Sequence, residues 1–170
     1  MGWLRRSIPK GARQSVQLQP GEHIVTWSRS PTATGSAYLI ATQKALYFDE
    51  HFAYGRVPWD AIAKVNWDEP MLQLVLQPNG MATPTVVQVQ LDEEGQMPTT
   101  VRERVTSSIV LQERVLLEGQ KGALMVARKG SDSGEIRWNI VFDSGLDPDN
   151  PELRRRADEM VAQLRAQLGI

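Results

Sequence analysis

Apolar residues fall at every second position through most of this 170-residue chain, and that period restricts the fold more than any other feature. A β-strand sends successive side chains to opposite faces, so alternation marks strands with one buried and one wetter side. The pattern recurs at Leu72, Leu74 and Leu76, at Val87, Val89 and Leu91, and most strongly at Ile136, Trp138, Ile140 and Phe142. Strands buried on both faces, as in a parallel α/β sheet, read instead as unbroken apolar runs. About nine antiparallel strands are therefore expected, as a two-sheet sandwich or partly open barrel in a mainly β (α+β) fold.

The period changes in two places. Val101 and Val105 stand at helical spacing behind Pro98, which predicts a short helix near 98–107. Near the C-terminus, Asn150 or Asp149 can cap free N–H groups, Pro151 loses nothing by lacking its own, and Glu152 suits the positive end of a helix dipole. Leu153, Ala157, Met160, Val161, Leu164 and Leu168 then form one apolar stripe ending at Gly169. A helix over 151–168 is expected, closing an open end of the barrel.

Residues 37–68 carry the most specific local pattern. Tyr38, Ile40 and Thr42 alternate with Ala37, Leu39 and Ala41, and Gln43-Lys44 makes a short polar connection. Leu46 and Phe48 share one face of the next strand, with Ala45 and Tyr47 on the other. A loop from Asp49 to Gly55 follows, then Pro58, a turn begun by Asp60, and a strand carrying Ala63, Val65 and Trp67. The order AYLIATQKALYF, a loop, then RVPWDAIAKV resembles bacterial pleckstrin-homology-like (PH-like) domains. The chain as a whole, including VRERVTSSIV and RWNIVFDSGLDPDNPELRRRADE, is similar to actinobacterial proteins with such a domain. The resemblance implies a PH-like sandwich with a C-terminal closing helix and implies no activity.

Residues 16–170 are expected to form one PH-like domain after a flexible basic arm, residues 1–15; the alternative is a core at 16–108 with a β-β-β-α extension at 109–170. The arm holds Arg5, Arg6, Lys10 and Arg13 and no acid. Trp3, Leu4, Arg5 and Arg6 offer only a weak contact for an anionic membrane surface. Residues 21–100 carry four basic and nine acidic residues, and 101–170 eleven of each, so no basic field points to nucleic acid. No apolar run is long enough to cross a membrane and no secretory pattern opens the chain, so a cytoplasmic protein is expected.

The absence of cysteine removes thiolate nucleophiles and cysteine-based metal sites. His23 and His51 lack metal-pair spacing, and Asp143, Asp147, Asp149 and Glu152 lack the order of a calcium loop. No catalytic residue, metal or cofactor is expected. Trp27, Trp67 and Trp138 read as core, and Trp59 as part of the turn. Two candidate binding surfaces remain. Arg114, Arg128 and Arg137 fall on three consecutive strands and would make an anion patch if all faced solvent, unless Glu113, Glu118 and Glu135 pair with them. The loop with His51, Phe52 and Tyr54 either folds its aromatics over the core or offers them to a partner or a second copy. The resulting expectation is a non-enzymatic protein-interaction or scaffolding module. Its alternatives are a peripheral module for anionic lipid, disfavoured because Arg29 is the sole Lys or Arg from Glu22 to Gln43, and an enzyme with a site not recognised from sequence.

Overall fold

The structure is a computed structural model that describes residues 7–32, 35–77 and 84–170. The described residues form ten strands in three antiparallel sheets, with three α-helices and no closed barrel. The first sheet joins β1 (Ile24–Thr32), β2 (Gly35–Thr42), β3 (Ala45–Phe48) and β4 (Arg56–Pro58) in that order. A single 3-10 turn, Trp59–Ala61, leads into the second sheet of β5 (Ile62–Asp68), β6 (Met71–Leu76) and β7 (Thr85–Gln90). Helix α2 (Met97–Ser107) follows. The third sheet, in the order β10-β9-β8, holds β8 (Ile109–Glu118), β9 (Lys121–Lys129) and β10 (Ile136–Phe142). Helix α3 spans Pro151–Leu168.

Two expectations need correction. The strand beyond the expected nine is β4, whose three residues are too few to display a period and end at Pro58. Ser30 to Ser36 (SPTATGS), whose composition reads as a flexible connection, instead extends β1 as far as Thr32, where Ser30, Pro31 and Thr32 pair with Ala37, Ser36 and Gly35. Pro31 is tolerated there because β1 is an edge strand of its sheet.

The division into three sheets follows from where the apolar faces find cover. Leu39, Leu46, Phe48, Trp59, Leu72, Leu74, Val87 and Val89 share a core with Met97, Val101 and Val105. Thus α2, and not the C-terminal helix, closes the space between the first two sheets. Helix α3 instead covers one face of the third sheet: Leu153, Ala157 and Leu164 pack on Val115, Leu117, Ala123 and Met125, with Trp138, Ile140 and Phe142 at the margin. Its start matches the sequence reading, with Asn150 Oδ1 accepting the N–H groups of Glu152 and Leu153 at 3.0 and 3.2 Å. Gly169 ends it in the left-handed region at φ 72°.

The basic arm is docked where the structure describes it. Residues Lys10–Gln14 form helix α1, and Ala12 is fully buried against a third cluster that includes Ile40, Ala45 and Tyr47. This explains why β2 is buried on both faces: Leu39 and Ala41 face the main core while Ile40 faces α1. Trp3, Leu4, Arg5 and Arg6, the proposed membrane contact, lie outside the described residues. No helix of the described residues is long and apolar enough to cross a membrane.

Candidate functional site

The loop from Asp49 to Gly55 is built on one buried carboxylate. Asp49 is 2% exposed. Its Oδ2 accepts the Tyr38 N–H at 3.2 Å, its Oδ1 accepts the His51 N–H at 3.0 Å, and its own N–H donates to the Tyr38 carbonyl at 3.1 Å. The His51 ring Nδ1 lies 2.6 Å from Asp49 Oδ1. Burial alone would raise the Asp49 pKa, but the hydrogen bonds from His51 and Tyr38 outweigh it and hold the carboxyl below its ordinary range. The same contact, hydrogen bond first and charge second, raises the pKa of His51. Gly55, at φ 59°, returns the chain so that its carbonyl accepts the Phe48 N–H at 2.8 Å.

Phe52 and Tyr54 both meet the Phe48 ring edge-on, with centroids 5.7 and 5.5 Å away. Phe52 is half-buried against the main core, so it serves packing. His51 and Tyr54 remain at the surface. Of the three loop candidates, then, two face solvent and one anchors them.

The three arginines do not share a surface. Arg128 is 4% exposed. Its guanidinium donates to the Val105 carbonyl at 2.9 Å, to Ser108 Oγ at 2.7 Å and to the Ala63 carbonyl at 3.2 Å. It thereby satisfies the Val105 carbonyl at the negative end of α2 and, through Ala63, joins the third sheet to the second. Burial pushes its pKa down, and the charge of Asp60 opposes that. Arg137 is the cross-strand neighbour of Arg128 and reaches Asp60 at 3.4 Å. Arg114 pairs across from Leu124, further along β9, and makes a two-pronged contact with Asp143 at 2.7 and 2.6 Å. That contact holds the Asp143 carboxyl at about 2. The partners are Asp143, Asp60 and backbone carbonyls, not the neighbouring glutamates.

One polar cluster had no sequence signal. Arg56 on β4 donates to Asp132 Oδ1 and Oδ2 at 2.7 and 2.8 Å and to Glu22 Oε1 at 3.0 Å. Tyr47 donates its hydroxyl to Glu22, and Thr42 donates to the same carboxylate at 2.9 Å. Asp132 sits at the tip of the β9–β10 loop, whose Ser131 N–H also donates to Asp60 at 2.9 Å. The cluster therefore clasps the third sheet to the first. Arg56 and Asp132 are 76 residues apart, so no local pattern links them.

The third sheet also exposes apolar surface. Leu124 pairs with Val141 across β9 and β10, and Leu116 pairs with Gly122, which has no side chain to cover it. Leu116 is 59% and Val141 48% exposed, and Leu124 is half-buried beside Val141. A methyl group at Gly122 would lie 1.8 Å from the Val115 carbonyl oxygen, so the gap cannot be filled without moving the strand.

Among the described residues no group of three or more His, Asp or Glu side chains could hold a metal ion. No protein-family model matches the chain, and comparison with curated proteins gives no significant match.

Proposed function

We propose that residues 16–108 form a PH-like core with a β-β-β-α extension at 109–170, and that the chain is a non-enzymatic protein-interaction module working through its third sheet. The succession of a four-stranded sheet, a three-stranded sheet and the covering helix α2 supports the first part, together with the AYLIATQKALYF and RVPWDAIAKV segments. One observation carries the second: Leu124 and Val141 are adjacent apolar side chains on one face of the third sheet, with Leu116 exposed on the same face beyond the Arg114–Asp143 pair, and all three are at least partly open to solvent. Contiguous apolar surface marks protein contacts more often than scattered exposed residues do. The arginines that would have favoured an anionic ligand are occupied within the fold.

A photo-crosslinking residue in place of Val141, introduced in the native host, tests this reading. A discrete protein adduct is expected there and not from the same residue at Val86, which is 56% exposed on the second sheet. No adduct from position 141, or the same adducts from both positions, would refute it.

A further inference from the structure

We propose that β8 is a dimerisation edge, pairing antiparallel with β8 of a second copy about a two-fold axis at Glu113. This rests on the third sheet being the contact surface and names the partner. Among the described residues the strand has a hydrogen-bonded neighbouring strand on one side only, β9. An edge strand presents every second backbone N–H and C=O outward, a template for another strand. Five of the seven residues from Val110 to Leu116 are exposed, while Val115 and Leu111 turn to the face that α3 covers. At Leu117 the carbonyl accepts from Arg156 at 2.9 Å, which marks where the open edge stops.

The sequence of the strand is self-complementary. From Ile109 to Leu117 it reads three apolar residues, three polar residues and three apolar residues, centred on Glu113. An isologous interface requires that residue i meet j while j meets i. With Glu113 opposite its own copy, Val110 lies opposite Leu116 of the second copy, and Gln112 opposite Arg114. Val110 and Leu116, 46% and 59% exposed, thereby become cross-strand neighbours twice over. Side chains directly opposite in an antiparallel pair stand about 4.5–5.5 Å apart at Cβ, close enough for these two to cover one another. The strand carries neither lysine nor proline, the usual blocks to edge pairing. Two features oppose pairing: the register against β9 shifts between Ile109 and Leu111 and between Leu116 and Glu118, so the regular stretch is short, and the axis at Glu113 brings two like charges together.

The chain has no cysteine, which makes the register directly testable. In the purified full-length protein, Glu113→Cys treated with diamide should form a disulfide-linked dimer, as the geometry of opposed Cβ atoms allows. Val86→Cys, also exposed but on another sheet, should not. Sedimentation velocity should show concentration-dependent dimer for wild type. Val110→Lys with Leu116→Lys should raise its dissociation constant by at least about tenfold, and Glu113→Gln should lower it. A monomer at every concentration with no Glu113→Cys dimer overturns the proposal, as does a dimer indifferent to the lysine pair. If position 141 then still crosslinks a different protein, the interaction reading stands and only the second copy fails. If position 141 crosslinks nothing either, both fail.

Discussion

Replacing Arg56 by methionine should destabilise the protein by about 3 kcal/mol, at the lower end of what removing one partner from a buried ion pair costs. The three charged side chains differ in exposure. The Glu22 side chain is fully buried, Arg56 is 15% exposed and Asp132 is 43% exposed. Without Arg56, Glu22 keeps the hydroxyls of Tyr47 and Thr42 but loses the one cation it meets among the described residues, so a carboxylate stays buried without that charge compensation. The cluster borders solvent, which keeps the cost from the upper end of the range. Asp132→Asn breaks the same network at its wet side and should cost only about 0.2–1 kcal/mol. Urea unfolding with linear extrapolation separates the two values. Equal costs for the two variants would refute the view that Glu22 burial drives the effect.

The pH dependence follows with a fixed sign. Burial alone would raise the Glu22 pKa, but hydrogen bonds led by Arg56 outweigh it, and Arg56 likewise lowers Asp132. Depressed folded-state values give stability that is present above the unfolded carboxylate range and lost as pH falls through the folded values. Wild type should therefore lose more stability than Arg56→Met when acidified below about pH 4.

Three further outcomes are expected. His51, whose pKa is raised by Asp49, stabilises the fold fully below about pH 6.5 and loses that contribution as pH rises through the folded value; melting curves from pH 5 to 9 should show this fall in wild type and not in His51→Ala. Leu164→Ala, at a residue 3% exposed under α3, should cost about 2–5 kcal/mol in urea unfolding; a loss under 1 kcal/mol would make α3 an appendage. Phe52→Ser with Tyr54→Ser should lower the melting temperature clearly, since both rings rest on Phe48; an unchanged melting temperature would return the loop to the status of a free contact surface.

Alternation, caps and turn residues are local, and what they control was legible. Pro151 and Asn150 start α3 where chain chemistry requires, and Leu72, Leu74, Val87 and Val89 face inward as their period demands. The three-residue β4 was not legible, because a strand that short is made by pairing with Leu46 and its neighbours and not by its own pattern. Nor could spacing say which helix covers which sheet. The stripes of α2 and α3 each demand burial without naming a partner, and only the assembled chain gives α2 to the first two sheets and α3 to the third.

The candidate surfaces divide the same way. The sequence alone determined that Arg114, Arg128 and Arg137 lie on successive strands, that His51 and Tyr54 share a loop, and that β8 is apolar at both ends and polar in the middle. Tertiary structure decided what those residues touch. It buried Arg128 against the end of α2, gave Arg137 to Asp60 and Arg114 to Asp143, and left Leu116 and Val141 in water. The reason is physical: a residue's periodicity is fixed by its neighbours along the chain, whereas the partner of a charge or an apolar face is fixed by whatever distant segment packing brings within a few ångströms.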